Sequence, residues 1–255
     1  MVLGLTEGRR SVAVMSRRTK TLAAAIAAIF IVFVAGPWIY INVIREPAAE
    51  SFLDEVVSTT VAETDGSPAT TTGEIGTATV AGITDPDGRW RVSADSQVGY
   101  RVDEVLFGQN VTAVGRTNAV SGFVTIDSST VTAAEFSVDM TTVQSDEPKR
   151  DAQFASRIMD VLNYPTSTFV LESPFAVTEA ALVSTATHQA RGMLTLRGAS
   201  KSVEVTVIST VRDGRVSVVG EIPIVFAEWG IPNPSIPGIS TEDAGVLEFN
   251  LVLER

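Results

Sequence analysis

The feature that most constrains the fold is an alternation of apolar and polar side chains that recurs through the C-terminal part of the chain. Val203, Val205 and Val207, for example, alternate with Glu204 and Thr206. Because successive side chains of a β-strand point to opposite faces, this pattern predicts antiparallel strands with one buried face. The alternation occurs in eight or nine segments, which are residues 89–95, 97–106, 117–127, 130–142, 167–178, 186–197, 200–212, 214–227 and 244–254.

Several of these predicted strands are long, and short turns such as Asp213-Gly214 and Gly198-Ala199 join them. Closing a sheet into a barrel removes the exposed edges that long strands otherwise offer to other chains. The sequence therefore predicts an all-β fold, an up-and-down antiparallel barrel of about eight strands. A barrel of this size either fills its interior with side chains or holds one small ligand.

One segment, residues 145–163, departs from the alternation. Phe154, Ile158 and Leu162 recur at every fourth position, as on one face of a helix. Pro165 follows and cannot continue a helix. We expect this helix to act as a lid that closes one mouth of the barrel, with its apolar stripe facing the interior.

The N-terminal part has the features of a membrane anchor. Residues 21–44 carry no charged side chain, and a helix of this length exceeds the ~30 Å hydrocarbon core of a bilayer. Residues 1–45 hold six Lys or Arg and one acid. The positive-inside rule then predicts a single-pass transmembrane helix at the cell membrane, with residues 1–20 in the cytoplasm and the C-terminal domain outside. The alternative is a cleaved signal peptide, whose apolar core usually spans only about 7–15 residues.

Residues 45–86 connect this span to the predicted barrel domain, residues 87–255. From residue 46 onward the connection holds eight acidic and no basic side chains, and it is rich in Ser, Thr, Ala and Gly. Such a composition predicts a flexible stalk with a root-mean-square length of roughly 35 Å. A partly helical stalk and a docking motif are alternatives, because four apolar residues have helical spacing: Phe52, Leu53, Val56 and Val57.

Composition also excludes several classes of function. The net charge of −11 argues against a nucleic-acid partner, because binding to phosphates needs clustered Lys and Arg. The sequence has no cysteine and a single histidine, His188, so it offers no thiol nucleophile and no thiolate metal site. We predict that His188 is a solvated or hydrogen-bonded strand or loop residue. No catalytic residue, metal ligand or cofactor is predicted, and a binding protein is favoured over an enzyme.

Three ordered motifs resemble those of a known family. The first is RDAQF at residues 150–154, followed by DVLNYPTSTF at 160–169. The second is GMLTLRGASK at 192–201, and the third is the opening WRV at 90–92 with SQVGY at 96–100. Together they are similar to the motifs of the YceI-like proteins, which are lipocalin-like polyisoprenoid-binding proteins of the bacterial envelope.

The resemblance covers residues 88–255 and implies a lipocalin-like barrel with an apolar tunnel for an isoprenoid, quinone-like or fatty chain. The chain departs from many members at Asp95, where they place a His before the Ser of the opening motif. The residues expected to line the tunnel are Tyr100, Val102, Phe123, Phe136, Val138, Phe154, Ile158, Leu162, Phe169, Leu171, Leu194, Phe226 and Trp229.

Two features near the mouths have alternative interpretations. Arg150 either forms ion pairs at the entrance of the lid helix or contacts the head group of the lipid. The loop from Trp229 to Gly238 contains three prolines that stiffen it, and it either rims the opposite mouth or crosses the barrel end.

Three functions follow as hypotheses. The first is a lipid carrier or reservoir at the outer face of the membrane. The second is an envelope interaction module whose barrel is filled. The third is a lipid-modifying enzyme that would use acidic groups, namely Asp127, Glu135, Asp139 and Asp151, although no nucleophile with a partner base is visible. Whether the chain forms a homodimer is left open.

Overall fold

The computed structural model describes a defined part of the chain, which comprises residues 21, 35–44, 47–56 and 83–255. The chain divides into two compact units, Met1–Pro47 and Ala48–Arg255. The described part of the first unit contains an α-helical segment, Gly36–Ile39, and a π-helical segment, Tyr40–Ile44. The predicted transmembrane helix lies largely outside the described residues, and among those described no helix is long and apolar enough to cross a membrane.

In the second unit, residues 83–255 form thirteen strands that join in one antiparallel sheet. Short 3-10 turns and one longer helix connect them. The strands are β1 (Gly88–Val92), β2 (Gln97–Leu106), β3 (Gln109–Thr117), β4 (Val120–Asp127), β5 (Thr130–Asp139), β6 (Gln144–Ser145), β7 (Thr166–Leu171), β8 (Phe175–Ala176), β9 (Ala186–Leu196), β10 (Ala199–Arg212), β11 (Arg215–Val225), β12 (Ile239–Thr241) and β13 (Ala244–Glu254).

The sheet closes on itself. Neighbouring strands follow the order β1-β4-β5-β7-β9-β10-β11-β13, and β13 pairs back with β1 through Arg91↔Glu254 and Val92↔Leu253. β1 and β2 are consecutive in the chain and together form one bent strand of the wall. β3 and β4 form the neighbouring bent strand, because β3 pairs with β2 and β4 pairs with β1. The result is a closed antiparallel barrel of eight wall strands, which confirms the predicted all-β barrel.

The strand β3 has no counterpart among the predicted strands, which pass from residues 97–106 directly to 117–127. It pairs with β2 across a tight turn at Phe107 and Gly108, which both have positive φ angles, 48° and 84°. Its alternation is weak in the sequence because Gly115 occupies an inward position opposite a large ring.

The helix expected within residues 145–163 is shorter than predicted. An α-helix spans Pro148–Gln153, and a π-helical turn, Phe154–Ile158, continues it. We call these two segments together the lid helix. The helix stops at Met159 because Asp160 has a φ of 49°, a left-handed conformation that cannot continue a right-handed helix.

The lid helix and the proline-rich loop lie at the same end of the barrel. This end, where β5 and β11 finish and β7, β10 and β13 begin, is called the lid end below. Arg157 of the helix donates a hydrogen bond to the carbonyl oxygen of Pro234 in the loop, at 2.8 Å. Trp229 and Phe154 belong to one buried cluster. The loop therefore crosses the lid end and does not rim the opposite mouth.

Residues 48–56, called the strap below, pack against the outer face of the barrel. Phe52 is only 4 % exposed, and the guanidinium carbon of Arg116 lies 3.9 Å from the centre of its ring. The Ser51 hydroxyl donates a hydrogen bond to Glu221 at 2.8 Å and also accepts one from the backbone of Leu53, which begins the short helix of residues 52–56. A docked segment therefore lies within the stretch that was predicted to be a stalk.

A buried carboxylate anchors the strap. Glu248 of β13 is on the outer face but is 0 % exposed, because the strap and two arginines cover it. Arg116 forms an ion pair with it at 2.8 Å, and Arg101 lies 3.8 Å away. The same two arginines donate to the backbone carbonyl oxygens of Glu50 and Ala49. One ionised side chain thus fixes both arginines, and the arginines hold the strap.

We expect Glu248→Gln to lower the free energy of unfolding by about 3 kcal/mol, because it leaves two partly buried arginines without their counter-charge. The measurement is a urea titration followed by tryptophan fluorescence. Glu254→Gln is the matched control, because its ion pair with Arg215 is exposed at the surface and contributes little. Equal stability of the two variants would show that Glu248 does not anchor the strap.

Candidate functional site

The barrel interior is apolar, and its lid end is tightly packed. The lid helix, the segment after it and the loop after β11 meet the walls there in one buried cluster. Its members are Phe154, Met159, Val161, Leu194, Leu196, Val205, Val207, Ile222, Ile224, Phe226, Trp229 and Ile231. This cluster seals the lid end of the barrel with side chains from helix, loop and strands together.

Further inside, aromatic rings lie over glycines of neighbouring strands. A Cβ atom added to Gly192 would come within 2.2 Å of Cζ of Phe169, so the ring occupies the space that a side chain would need. The same arrangement occurs four times, as Tyr100 over Gly115, Phe136 over Gly122, Phe169 over Gly192 and Phe249 over Gly220. Each ring therefore lies against the wall instead of projecting to the barrel axis.

The exposure of these rings agrees with that geometry. Tyr100, Phe136, Phe169 and Phe249 face inward, yet each is only partly buried. Side chains in a solidly packed interior contact neighbours on all sides and lose their accessible surface. The middle of the barrel therefore keeps apolar surface that another molecule can contact.

Ring pairs join the walls to the lid. Tyr100 stacks on Phe154 of the lid helix with ring centres 5.1 Å apart, and Phe136 stacks on Phe169 at 6.4 Å. Burial raises the pKa of Tyr100, although the nearby Arg150 opposes this shift. The phenol of Tyr100 is therefore neutral at physiological pH, and its hydroxyl is an uncharged donor beneath the lid.

Arg150 lies in a network of ion pairs at the entrance of the lid helix. Its guanidinium pairs with Asp146 and lies 3.8 Å from Glu104 of β2. The neighbouring Asp151 accepts hydrogen bonds from the backbone and the hydroxyl of Ser145, at 2.8 and 2.6 Å. These contacts fasten the helix to β2 and β6, as the ion-pair interpretation expects. A contact between Arg150 and a lipid head group stays a prediction.

The structure brings together most of the residues predicted to line the interior. Those on the inward face of a strand, or in the sealing helix and loop, are Tyr100, Val102, Phe136, Val138, Phe154, Ile158, Phe169, Leu171, Leu194, Phe226 and Trp229. The prediction was wrong for the position of two others, Phe123 and Leu162.

Phe123 lies on the outer face of the barrel. It pairs with Glu135, an exposed residue, and the guanidinium carbon of Arg89 lies 3.6 Å from the centre of its ring. The sequence does not show which face of the strand Phe123 occupies, because its neighbours Gly122 and Val124 are compatible with either the inner or the outer face. Gly122 takes the inward position under Phe136, and this places Phe123 outside.

Leu162 is 92 % exposed, because the lid helix ends before reaching it. The backbone reverses at Asp160, and Met159 and Val161 enter the buried cluster in its place. A strict four-residue spacing cannot reveal where a helix stops, so this exchange was not predictable from the stripe alone.

Several inward residues were not predicted as part of the site. Their strands do show the alternation, which was the signal that could have identified them. They include Val203, Val205, Val207, Ile222, Ile224, Leu247 and Phe249. The glycines beneath the rings carry no such signal, because a glycine is neutral in an apolar pattern.

The acidic residues of the enzyme hypothesis do not meet in the interior. Glu135 and Asp139 are exposed, and Asp127 is the last residue of β4, at the far end from Asp151. Hydrogen bonds from Thr141 lower the pKa of Asp139. Within residues 83–255 and the shorter described segments, no group of three or more His, Asp or Glu side chains is placed to bind a metal.

Comparison with known proteins agrees with this architecture. A sequence model of the YceI-like domain matches residues 90–253. The chain belongs to the YceI-like family. None of the curated proteins compared with it matches.

The YceI-like domain is also similar to solved structures. One is the crystal structure of BcnA from Burkholderia cenocepacia, with a TM-score of 0.50 and 20 % identity over 63 % of this chain and 98 % of BcnA. Another is a polyisoprenoid binding domain from Saccharophagus degradans implicated in plant cell wall breakdown, with a TM-score of 0.52 and 13 % identity over 65 % of this chain and 97 % of that domain. At these identities the likeness shows the fold.

The YceI-like domain has one polar pair inside its opposite end. His188 of β9 points inward, and its Nε2 lies 3.0 Å from the hydroxyl of Ser209 on β10. The Ser209 hydroxyl also lies 3.4 Å from the carbonyl oxygen of Ala186, which can accept a hydrogen bond from it. The ring of Phe175 lies 5.7 Å away. His188 is thus a hydrogen-bonded strand residue, as predicted, but it faces the interior.

Burial lowers the pKa of His188 below its usual value of 6.5. In the unfolded chain the imidazole binds a proton near pH 6.5, whereas in the folded domain it does so only at lower pH. The free energy of unfolding is therefore unaffected by His188 above that value and decreases as the pH falls below it.

We expect His188→Gln to remove this dependence, because the amide can donate to Ser209 or accept from it but does not titrate. Urea titrations of both proteins at pH values from about 7.5 to about 5 measure it. Carboxylates titrate in both proteins, so the difference between the two curves reports His188 alone. Parallel curves would contradict the assignment of a partly buried imidazole that is neutral in the folded domain.

Proposed function

We propose that the chain is a membrane-anchored, extracytoplasmic binding protein that holds a long apolar lipid in its barrel. The observation that carries this proposal is the set of four inward-facing rings that lie over glycines and stay partly exposed. A lipid chain in that space would contact the faces of the rings and gain about 0.8 kcal/mol for each methylene removed from water.

Family membership supports the same class of ligand. The domain belongs to the YceI-like family, and one structural neighbour is described as a polyisoprenoid binding domain. The ligand we propose is an isoprenoid, quinone-like or fatty chain, which the protein carries or stores. The interior offers apolar contacts with few charges, and the candidate acids lie apart from each other, so binding is favoured over catalysis.

The location is proposed from the sequence. Residues 21–44 have no charge, and five basic residues precede them. This arrangement is typical of a single-pass helix with a cytoplasmic N-terminus, which would hold the barrel at the outer face of the membrane.

The lipid proposal predicts a specific effect of Gly192→Ala. The new methyl group pushes the ring of Phe169 towards the axis, because the ring is the movable end of a flexible side chain. We expect the affinity for lipid to fall roughly tenfold, equivalent to about two lost methylene contacts, with little loss of stability. Native mass spectrometry of the full chain in detergent measures the fraction that carries a co-purified lipid.

Gly192→Ala in a Phe169→Leu background is the control, since the smaller side chain leaves room for both methyl group and lipid. Lipid that merely surrounds the anchor is insensitive to either substitution. A wild-type chain that carries no lipid would favour the interaction module with a filled barrel. Unchanged lipid content in Gly192→Ala would mean that the ligand does not contact Phe169.

The proposed anchor predicts that the full chain fractionates with membranes and resists extraction by alkaline carbonate. The barrel should be cleaved by protease added from outside, because the positive-inside rule places it there. Immunoblotting of the fractions of the producing cells measures both properties. A soluble product that begins near Ala48 would instead identify residues 21–44 as a cleaved signal.

A further inference from the structure

Exposed apolar side chains are concentrated at one end of the barrel. Eight large apolar or aromatic side chains are exposed within residues 83–255, and six of them lie at the lid end. We call these six the lid-end rim, and they are Val105, Phe107, Leu162, Tyr164, Val225 and Ile236. Val170 lies on the wall, and Val183 alone lies at the opposite end. Single exposed apolar residues are ordinary, but their grouping at one end of a molecule indicates an interaction surface.

The tips of the rim are held in place by the backbone. The N–H group of Phe107 donates to the carbonyl oxygen of Gly238 at 2.9 Å, which joins the β2–β3 turn to the proline-rich loop. Ile236 exchanges two backbone hydrogen bonds with Ile239, at 2.9 and 3.0 Å. Phe107 is 59 % exposed and Leu162 is 92 % exposed. These side chains are therefore presented to solvent on ordered turns, and the ring of Phe107 is covered on one side only, by Gly238.

Two cations at this end are already engaged, and Lys149 of the lid helix is exposed but flanked in the sequence by the acids Glu147 and Asp151. Arg157 donates to Pro234, and Lys201 pairs with Glu228 at 3.3 Å. Asp160 is close in sequence to Leu162 of the rim, and Glu242 lies between β12 and β13 at this end, so both carboxylates add negative charge here. A partner that binds by charge is therefore disfavoured at this end, and a partner that accepts apolar side chains is favoured.

Chain length points to a bilayer as that partner. The backbone of Ala49 is fixed to Arg101 on the wall, only five residues after Ile44, where the proposed anchor ends. Five residues span at most about 18 Å. The wall residues under the strap, Glu221 and Glu248, are each four residues from the lid end of their strands, or about 13 Å. The lid-end rim can therefore reach the surface from which the anchor emerges.

We propose that the lid end docks on the lipid bilayer, with the lid-end rim inserted among the head groups. The inference rests on the proposed anchor and lipid ligand, and it specifies which end of the barrel faces the membrane. Insertion of the rim places the lid helix at the membrane surface, where a lipid leaving the bilayer meets the barrel. The opposite end, with His188, faces away from the membrane.

The absence of cysteine from the sequence makes a site-specific test direct. Single-cysteine variants Phe107→Cys, Leu162→Cys and Ile236→Cys of the full chain are labelled with a polarity-sensitive fluorophore. They are then reconstituted into vesicles of phosphatidylcholine and phosphatidylglycerol. Val183→Cys, at the opposite end and 60 % exposed, is the matched control.

We expect the three lid-end labels to shift to shorter emission wavelengths and to be quenched by nitroxide-bearing lipids, whereas the Val183 label is not. The shift should persist in high salt, because the contact is apolar. Lid-end labels with the same emission and quenching as the Val183 label would overturn the proposal. So would loss of the shift in high salt, which would indicate an electrostatic contact.

A functional readout separates this inference from the proposed function. Phe107→Asp combined with Ile236→Asp should slow the transfer of bound lipid to acceptor vesicles at least roughly tenfold, because two apolar tips lose their place in the bilayer. Native mass spectrometry should still find lipid in the variant, since neither residue faces the interior. Val183→Asp is the control. If the double variant transfers lipid as fast as the wild type, the docking proposal is wrong, although lipid binding is unaffected. If the lid-end labels enter the bilayer but the protein carries no lipid, only the proposed function is wrong.

Discussion

The pairing of β13 with both β1 and β2 is the interaction on which the rest of the molecule depends. It returns the last strand to the first, so every wall strand has two neighbours and the barrel has an inside. The same strand directs Phe249 into the interior and the buried carboxylate of Glu248 to the outer wall. A shift of one residue in its register would exchange these two side chains, which neither environment tolerates. Closure therefore fixes the site and the strap together.

The second constraint is the presence of glycine at four inward positions beneath aromatic rings. A wall built only of branched residues would send its large rings to the axis and fill the barrel. With glycine on the neighbouring strand, a ring such as Phe169 covers exposed backbone and adds little to the thickness of the wall. The lid end is packed by another means, through the buried cluster around Phe226 and Trp229. One chain thus combines a solid plug at one end with an accessible middle.

The barrel could be predicted from the sequence, because burial of one face of each strand makes apolar side chains recur at every second residue. The same reasoning placed Phe136 on the inward face, because Phe136 and Val138 alternate with Glu135, Ser137 and Asp139. It failed at Phe123, because the adjacent Gly122 hides which face is inward, and at Leu162, because the helix ends at a left-handed residue that no apolar pattern marks. The docking of the strap could not be predicted from the sequence either. It depends on the ion pair between Glu248 and Arg116, which are far apart in sequence and meet only in the closed barrel.

The strap extends the folded domain beyond the part that family similarity identifies. A boundary drawn by family similarity begins at residue 90, yet Ser51 and Phe52 are as buried as the interior of the barrel. Residues 48–56 and 83–255 therefore belong to one compact unit, and the backbone is fixed on both sides of residues 57–82, by the strap and by the hydrogen bond that the N–H group of Ile83 donates to Leu182. The entropy cost of closing a chain between two fixed points rises by only about 0.6 kcal/mol for each doubling of the number of residues between them. Closure therefore places little demand on the number of residues between 56 and 83, and insertions there should leave the contacts of the strap unchanged.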